Sequence, residues 1–361
     1  MCLAKHLYKI ATDEYRGMAF LPVKAFLSVL SVIYRVIVKI LAGIYGLKPL
    51  QPACKVISVG NITLGGTGKT VLVELIAYYL KQNSHKVAVL TRGYKRNIKN
   101  PSDGAGQEYD GMGDEPYMLK RKLGNIPVLV DKNRVRSLNL AVKKFGVDTV
   151  ILDDGLQQWR IKKDLEITLI DSVRALGNKK ILPRGILREP LSALKRSDIF
   201  VLTKADSSKA TEEISAFLNK INPKAQIFLS KHEPTGLYDL RNPGAVLGLN
   251  VFAGKKAVLF CGIADPDYFK KTVEGLDINI IKSFEFIDHY RYSQPNLDNI
   301  IDFALKEKAD LVVTTEKDAS RLDKLKIPQE GGLPIMALVV KFKITQNEYG
   351  FYNRLLSIYP G

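Results

Sequence analysis

The sequence predicts an α/β protein with a doubly wound parallel sheet, a second, smaller α/β domain and an amphipathic helix at the N-terminus. Two observations predict the sheet: short β-type runs alternate with helical runs, and those β-type runs are apolar throughout, as in sheets covered on both faces. A stretch rich in glycine and proline, 232–256, divides the alternation into two series, and 361 residues suffice for two cores.

The first element is an apolar helix within residues 17–47. Five residues (Lys24, Ser28, Ser31, Arg35 and Lys39) fall within a sector of roughly 80° on a helical wheel, and nearly all others are apolar. The run without charge between Lys24 and Arg35 has ten residues, too few for a simple bilayer span. Region 1–47 is therefore expected to lie in a membrane interface. The alternative is a core helix whose polar stripe faces solvent.

The first strand–helix series gives a domain at 48–231. Its predicted strands are Lys55–Ile62, Lys86–Arg92, Pro127–Asp131, Thr149–Asp153, Glu166–Asp171 and Ile199–Lys204. Its clearest helices are Val71–Gln82 and Arg134–Phe145.

A hinge is predicted at 232–256, and a smaller α/β domain follows at 257–345. The predicted strands of this domain are Ala257–Gly262, Ile278–Phe286 and Asp310–Thr314, with helices after Pro266 and from Asn296. The chain is expected to end in a helix within 346–361.

The strongest motif is the run VISVGNITLGGTGKT at 56–70, in which a strand leads through a glycine-rich turn into a helix. Such a loop directs backbone N–H groups at phosphate oxygens, with Lys69 on the β- and γ-phosphates and the Thr70 hydroxyl on Mg²⁺. The first glycine of the usual P-loop pattern is Thr63 here. The expected phosphate-binding residues are Gly65, Gly66, Thr67, Gly68, Lys69 and Thr70. A glycine turn without a ligand is the alternative.

Two acidic pairs are candidates for metal binding and hydroxyl activation. Asp153 and Asp154 end the apolar run TVIL, at the sheet edge where parallel strands bind ligands. Asp114 and Glu115 precede Pro116, where acids also simply favour a helix start. His289, beside Asp288, is a candidate to tune a base or bind substrate, although a lone histidine is more often structural.

The charge balance predicts an anionic partner. Lys and Arg number 54 against 37 Asp and Glu, a formal net charge of +17. This surplus suits nucleic acid, anionic lipid or a phosphorylated substrate. The basic residues are not interleaved with aromatic residues as in RNA-binding chains, so nucleic acid is not expected. Three dispersed cysteines predict neither disulfides nor a zinc site.

With these residues in hand, the chain resembles the tetraacyldisaccharide 4′-kinase family of lipid A biosynthesis. The resemblance runs through nine motifs in order: SVGNITLGGTGKT, LTRGYKR, GDEP, PVLVDKNR, DDGLQ, LPRGILREP, FCGIADP, FEFIDHY and TTEKDA. It implies transfer of the ATP γ-phosphate, with Mg²⁺, to the 4′-hydroxyl of a lipid disaccharide 1-phosphate. It also implies a glycolipid substrate, inner-membrane surface lipids as partners and the cytoplasmic face of the bacterial inner membrane. A peripheral or monotopic monomer is expected.

The resemblance assigns roles to matching residues. Asp114 would act as base on the sugar hydroxyl and form a dyad with His289. Glu115, Asp153 and Asp154 would be the metal-associated acids. The basic residues of three motifs would suit phosphate or transition-state contacts; they are Arg92, Arg134, Arg184 and Arg188. Relatives carry histidine where this chain has Gln158, which cannot take a proton at neutral pH.

The main alternative function is a membrane-associated P-loop ATPase or GTPase switch, because VLTKAD at 201–206 resembles a guanine-reading motif. A switch gives no role to the His289 region or the second domain. A soluble small-molecule kinase, in turn, leaves the N-terminal helix unexplained. ATP use that depends on a glycolipid acceptor would identify the kinase, and GTP selectivity with slow hydrolysis would identify the switch.

Overall fold

The computed structural model describes residues 8–15, 17–93, 114–205, 208–328 and 332–360, with the side chain of Asp114 outside that description. Parts of three predicted motifs lie outside the described residues as well: residues 94–96 of LTRGYKR, Gly113 of GDEP and Asp206 of VLTKAD. The twelve strands of the described chain form one continuous sheet, parallel except around the seventh strand.

The first half of the chain has helices on both faces of six parallel strands. The strands are β1 Lys55–Asn61, β2 Val87–Thr91, β3 Val128–Val130, β4 Thr149–Asp153, β5 Leu165–Asp171 and β6 Ile199–Thr203. The helices are α1 Leu21–Leu47, α2 Lys69–Gln82, α3 Asp114–Leu123, α4 Arg134–Phe145 and α5 Lys209–Ile221. In space these strands follow the order β3-β2-β4-β1-β5-β6. This is the doubly wound sheet that the sequence predicted, with element ends shifted by at most two residues.

The second half continues the same sheet. Its strands are β7 Gln226–Asp239, β8 Val246–Leu247, β9 Lys256–Cys261, β10 Asn279–Glu285, β11 Leu311–Thr315 and β12 Ile335–Ile344. Its helices are α6 Pro266–Glu274, α7 Gln294–Lys306, α8 Glu316–Ala319 and α9 Glu348–Leu356. The order continues from β6 as β7-β12-β11-β9-β10. The C-terminal helix α9 packs back on the first half, where Phe351 and Leu355 join the core beneath α2.

The predicted hinge at 232–256 contains regular structure that the sequence analysis did not predict. The 14-residue strand β7 pairs with parallel β6 through its first residues and with antiparallel β12 through the rest. Pro234 is tolerated there because the register shifts beside it, and bulges accept a residue that lacks an N–H. Local glycine and proline signals thus misidentified a strand as a loop. Whether the two halves move relative to each other stays a prediction.

Helix α1 turns its broad apolar face away from the protein. Phe26 and Val29 are each more than 60% exposed, and the buried side of the helix holds only Leu27, Ser31 and Val38. Ser31, from the predicted polar stripe, donates to the carbonyl of Ile181 at 2.9 Å. The core-helix alternative is therefore wrong, because it required the apolar face to be buried. By length and composition, Met18–Leu47 is also long and apolar enough to cross a membrane.

Candidate active site

The glycine-rich loop joins β1 to α2 at the middle of the sheet. Gly65 and Gly68 have φ angles of 109° and 81°, values that side chains disfavour. A Cβ at Gly68 would lie 2.7 Å from His232 Nε2, so packing as well as conformation requires glycine there. Thr63 does not share this conformation, which explains why the missing first glycine is tolerated. The loop therefore has the backbone of a phosphate cradle.

Lys69 begins α2 and extends toward the ends of two neighbouring strands. Its Nζ donates to Asn61 Oδ1 at 3.0 Å and lies 3.6 Å from Asp154 Oδ1. Asn61 Nδ2 in turn donates to the carbonyl of Thr63 at 2.8 Å. Asn61, which the sequence analysis did not single out, thus links the lysine to the loop.

Asp154 is held as an anion. Arg188 donates to both carboxylate oxygens of Asp154. The backbone of Asp154 has a left-handed φ of 56°, a strained conformation typical of functional positions. Burial alone would raise the pKa of Asp154, but Lys69 and Arg188 outweigh burial and hold it well below its usual range. The result is a fixed negative charge beside the P-loop lysine.

Asp153, one residue earlier, has the opposite environment. Burial, followed by repulsion from Glu115 and Asp154, raises its pKa to about 6. Its Oδ1 atom is buried without a hydrogen-bond partner among the described residues. Lys69 and Arg134 act in the opposite direction but do not outweigh burial and the neighbouring acids, so this oxygen remains available to a further cation.

The second half of the chain contributes an ionic group facing Glu115. Lys317 of α8 lies 3.0 Å from Glu115 Oε1 and 3.5 Å from Asp288 Oδ1. His289 Nε2 is 3.9 Å from Asp288 Oδ2. Burial would raise the pKa of Glu115, but Lys317 and Lys69 nearby outweigh it and lower that pKa. Lys317 thus connects Glu115 to Asp288, the neighbour of His289, and the role predicted for His289 stays a prediction. The sequence analysis left Lys317 without a role although it stands in TTEKDA.

One cavity, of about 240 Å³, lies between the P-loop and the second half of the chain. Five predicted phosphate-binding residues line it: Gly66, Thr67, Gly68, Lys69 and Thr70. Glu115 and Lys317 line it as well, and Ala264 of the β9–α6 loop lies 3.4 Å from a Cβ placed on Gly66. The structure thus encloses the phosphate loop from the side of the second half.

The β9–α6 loop is held there by ion pairs. Lys204, from VLTKAD, binds Asp171 at 2.6 Å and makes a short contact with Asp265. Arg174 donates to the carbonyl of Ala264 at 2.9 Å. Lys204 thus binds two acids that join the halves, a role that guanine reading would not give it.

The four predicted arginines divide into distinct groups. Arg188 belongs to the site, and the buried Arg134 donates to the carbonyl of Asp153 at 2.9 Å, supporting the strand end. Arg92 is exposed at the end of β2. Arg184 lies apart, bound to Asp13 at 2.6 Å and to the backbone of Ile10, where it anchors the N-terminal segment. Gln158 lies with Arg134 in a separate surface pocket.

The described residues fit a divalent cation. No three His, Cys, Asp or Glu side chains among them converge as a protein-only metal cage would. This suits Mg²⁺, which is bound by one or two carboxylates together with substrate phosphates and water. The unpartnered Asp153 Oδ1 supplies the oxygen that such an ion requires.

A glycine loop, its lysine and adjacent strand-end carboxylates on a parallel sheet define a P-loop phosphotransferase. Residues 23–359 match the model of the family described as tetraacyldisaccharide-1-P 4′-kinase. The chain belongs to this family. Membership decides between kinase and nucleotide switch in favour of the kinase.

Relatives named tetraacyldisaccharide 4′-kinase match most of the chain. The tetraacyldisaccharide 4′-kinase of Halothermothrix orenii is 33% identical over 342 residues, with 89% of each chain covered. That of Syntrophus aciditrophicus is 38% identical over 331 residues, covering 85% of this chain and 87% of the relative. The LpxK crystal structure from Aquifex aeolicus, in complex with ATP, has a TM-score of 0.73 at 27% identity, covering 94% of this chain and all of that one.

Proposed function

We propose that this protein transfers the γ-phosphate of ATP to the 4′-hydroxyl of a lipid disaccharide 1-phosphate, as a step in lipid A biosynthesis. One observation carries the proposal: Lys69 lies 3.6 Å from Asp154 beside a glycine loop that is shaped for a triphosphate, and Asp153 and Glu115 are near enough for their charges to interact. Family membership supplies the identity of the acceptor.

The P-loop amides and Lys69 bind the β- and γ-phosphates and neutralise charge that develops during transfer. Thr70, Asp153 and Glu115 would hold Mg²⁺, which would supply positive charge to the phosphates. Arg188 fixes Asp154 through both oxygens, so that carboxylate keeps its orientation beside Lys69. Burial and then the nearby charge of Arg92 lower the pKa of Arg134, and both arginines add positive charge at this edge of the sheet.

Asp114 acts as base on the acceptor hydroxyl and His289 supports it. The proposal rests on the family's motif and on the position of Asp114, which begins α3 directly before Glu115. Glu115, the next residue, lines the cleft together with Lys317, and the acceptor hydroxyl would be bound in that cleft.

The acceptor carries acyl chains that stay in a bilayer, so the enzyme works at a membrane surface. The exposed apolar face of α1, with Arg35 and Lys39 beside it, inserts into the lipid interface on the cytoplasmic side of the inner membrane. ATP in the cytoplasm then reaches the cleft from the aqueous side. The enzyme acts as a monomer, which light scattering in detergent tests.

The direct experiment incubates the purified full-length protein with γ-labelled ATP, Mg²⁺ and a total bacterial lipid extract. Label should enter a lipid that yields a phosphorylated disaccharide on acid hydrolysis. A matched reaction with GTP as donor should label that lipid far less. Nucleotide hydrolysis without label in any lipid would reject the kinase.

A further inference from the structure

A buried ion pair lies directly behind His289. Asp318 lies in α8, after strand β11, and Arg321 follows that helix; their side chains are 0% and 1% exposed. Asp318 accepts from Arg321, from the Gly262 amide and from the Tyr292 hydroxyl, at 2.7, 3.0 and 3.0 Å. Asp318 is therefore held by three separate segments of the chain, and it in turn fixes the guanidinium of Arg321.

This fixed guanidinium is directed at the histidine ring. Arg321 NH2 lies 3.4 Å from His289 Nδ1, and Arg321 NH1 donates to the carbonyl of Gly262 at 2.8 Å. The same carbonyl accepts from the backbone N–H of His289 at 3.1 Å, and His289 has a left-handed φ of 60°. Arg321 thus touches both the ring and the turn that presents it.

The chemistry of arginine determines which ring nitrogen carries the proton. Guanidinium has five N–H donors and no acceptor, and it is always charged in proteins. A proton on Nδ1 would set two N–H groups against each other, whereas the Nδ1 lone pair accepts from Arg321. The other nitrogen, Nε2, then carries the proton on the side of the Asp288 carboxylate.

We infer that Arg321, held by Asp318, is a positioning residue that fixes the His289 ring with its Nδ1 lone pair occupied and an Nε2–H donor on the side of Asp288. In this arrangement the Nε2–H group of His289 can donate to a carboxylate, and the hydroxyl proton goes to the proposed base, Asp114, rather than to the ring. The catalytic consequence rests on the kinase function proposed above, but the tautomer does not.

The tautomer is measured first, in the full-length protein in detergent micelles. The sequence has four histidines, so histidine-selective ¹⁵N labelling gives a spectrum with few signals, and a His289→Gln sample assigns the ring. We expect the Nδ1 shift of His289 at neutral pH in the unprotonated range and the Nε2 shift in the protonated range. A protonated Nδ1, or an imidazolium, would overturn the inference even if the kinase assay succeeds.

The kinetic arm uses Arg321→Lys, which keeps a charge for Asp318 but loses the planar fork that reaches both Gly262 and the ring. We expect kcat to fall about tenfold or more, KM for ATP and lipid to stay within about twofold, and His289 to populate both tautomers. Arg354→Lys, at an arginine that binds Ser357 on the surface, is the control and should change none of these. An unchanged kcat would overturn the positioning role of Arg321. A fall in kcat that matches the fraction of unfolded protein, with the His289 tautomer unaltered, would overturn it as well.

Discussion

Arg188 binds the carboxylate of Asp154 through two parallel hydrogen bonds, NH1 to Oδ1 at 2.7 Å and NH2 to Oδ2 at 2.8 Å. The same NH1 atom donates to Asn61 Oδ1 at 3.1 Å, and Asn61 also accepts from Lys69. One network therefore joins the motif LPRGILREP to the phosphate loop. Lys69 and Arg188 hold Asp154 ionised, whereas the Oδ1 atom of Asp153 has no hydrogen-bond partner in the part of the chain that the structure describes.

Arg188→Lys should reduce kcat by about tenfold to a hundredfold, because a lysine cannot form the two parallel bonds that orient Asp154. Steady-state kinetics with saturating ATP measures the effect. Arg136→Lys is the matched control: Arg136 makes the same forked contact with Asp131, at 2.7 and 2.9 Å, but is half exposed and outside the cleft. Equal losses in both variants would contradict the role of Arg188.

Lys69→Ala should lower turnover by orders of magnitude while the protein stays folded, since Lys69 neutralises the transferred phosphate. Circular dichroism checks the fold and γ-labelled ATP measures turnover. Lys55→Ala removes an exposed lysine that binds Asp164 and should leave turnover unchanged. Turnover of Lys69→Ala close to that of the unaltered protein would reject its assigned role.

Asp114→Ala should likewise lower turnover by orders of magnitude, because the proposed base is lost, whereas binding of Mg²⁺–ATP should persist. Isothermal titration with a non-hydrolysable ATP analogue separates the two effects. Asp323→Ala is the control: it removes an exposed carboxylate that accepts from Tyr117, a residue of the same helix as Asp114. Normal turnover without Asp114 would assign the base elsewhere.

Asp153→Asn and Asp154→Asn should change stability in opposite directions at pH 7.5. The folded pKa of Asp153, about 6 against 3.8 for an ordinary aspartate, means that ionising it opposes folding as pH rises between those values. Asparagine removes that penalty, roughly 2 to 3 kcal/mol, so Tm should rise by several degrees. Asp154 has a lowered pKa and stabilises as an anion, so its replacement should lower Tm.

The pH dependence makes this comparison specific. The gain from Asp153→Asn should be full at pH 7.5, shrink as the pH falls through 6, be small near pH 4, and vanish only below the unfolded pKa of 3.8, where the aspartate is protonated in both states. Differential scanning calorimetry without nucleotide or Mg²⁺ measures it. A gain of the same size at pH 4 would show that packing, not charge, is responsible.

Lys204→Met should destabilise the protein by about 3 to 5 kcal/mol and raise KM for ATP, because it leaves Asp171 and Asp265 without their shared cation and frees the loop over Gly66. Adding Asp265→Asn should recover part of that loss. Lys343→Met, which breaks a solvent-exposed pair with Glu233, should change stability little, because water and salt screen such pairs. Similar losses in both lysine variants would contradict the conclusion that the buried ion pairs of Lys204 with Asp171 and Asp265 hold the two halves together.

Replacing Phe26, Val29 and Ile33 of α1 together with serine should reduce partitioning onto anionic liposomes without lowering Tm, since these side chains are exposed. Ser31→Val should lower Tm and leave partitioning unchanged, because the Ser31 hydroxyl donates to the carbonyl of Ile181 and accepts from the Arg184 amide inside the protein. Liposome sedimentation and thermal melting test the pair. Full pelleting of the triple variant would place the anchor elsewhere.

Sequence patterns were most informative where the signal is local. The loop at 65–70 and the strand end at Asp153 carry their own signatures, since glycine conformation and buried apolar runs are properties of neighbouring residues. Strand β7 could not be read this way: its partners β6 and β12 lie far apart in the chain, and Pro234 and Gly236 give the signal of a loop.

Side-chain partnerships across the fold were also beyond the sequence. Lys317 and Glu115 are 202 positions apart and meet only once the two halves share a sheet. Arg184 illustrates the reverse error, because its motif suggested phosphate while its contacts are with the N-terminal segment. A charged residue in a motif does not reveal which surface it faces until the topology is known.

Strand β7 has a mechanical consequence. A chain that crosses between two bodies through a loose linker lets them rotate as separate parts, but here a single hydrogen-bonded ribbon runs from the nucleotide half into the half that carries His289. A rotation of one half against the other would therefore have to twist this ribbon, which includes His232, the β7 residue packed against Gly68. We therefore expect nucleotide binding at the phosphate loop to be coupled to the geometry of the acceptor side.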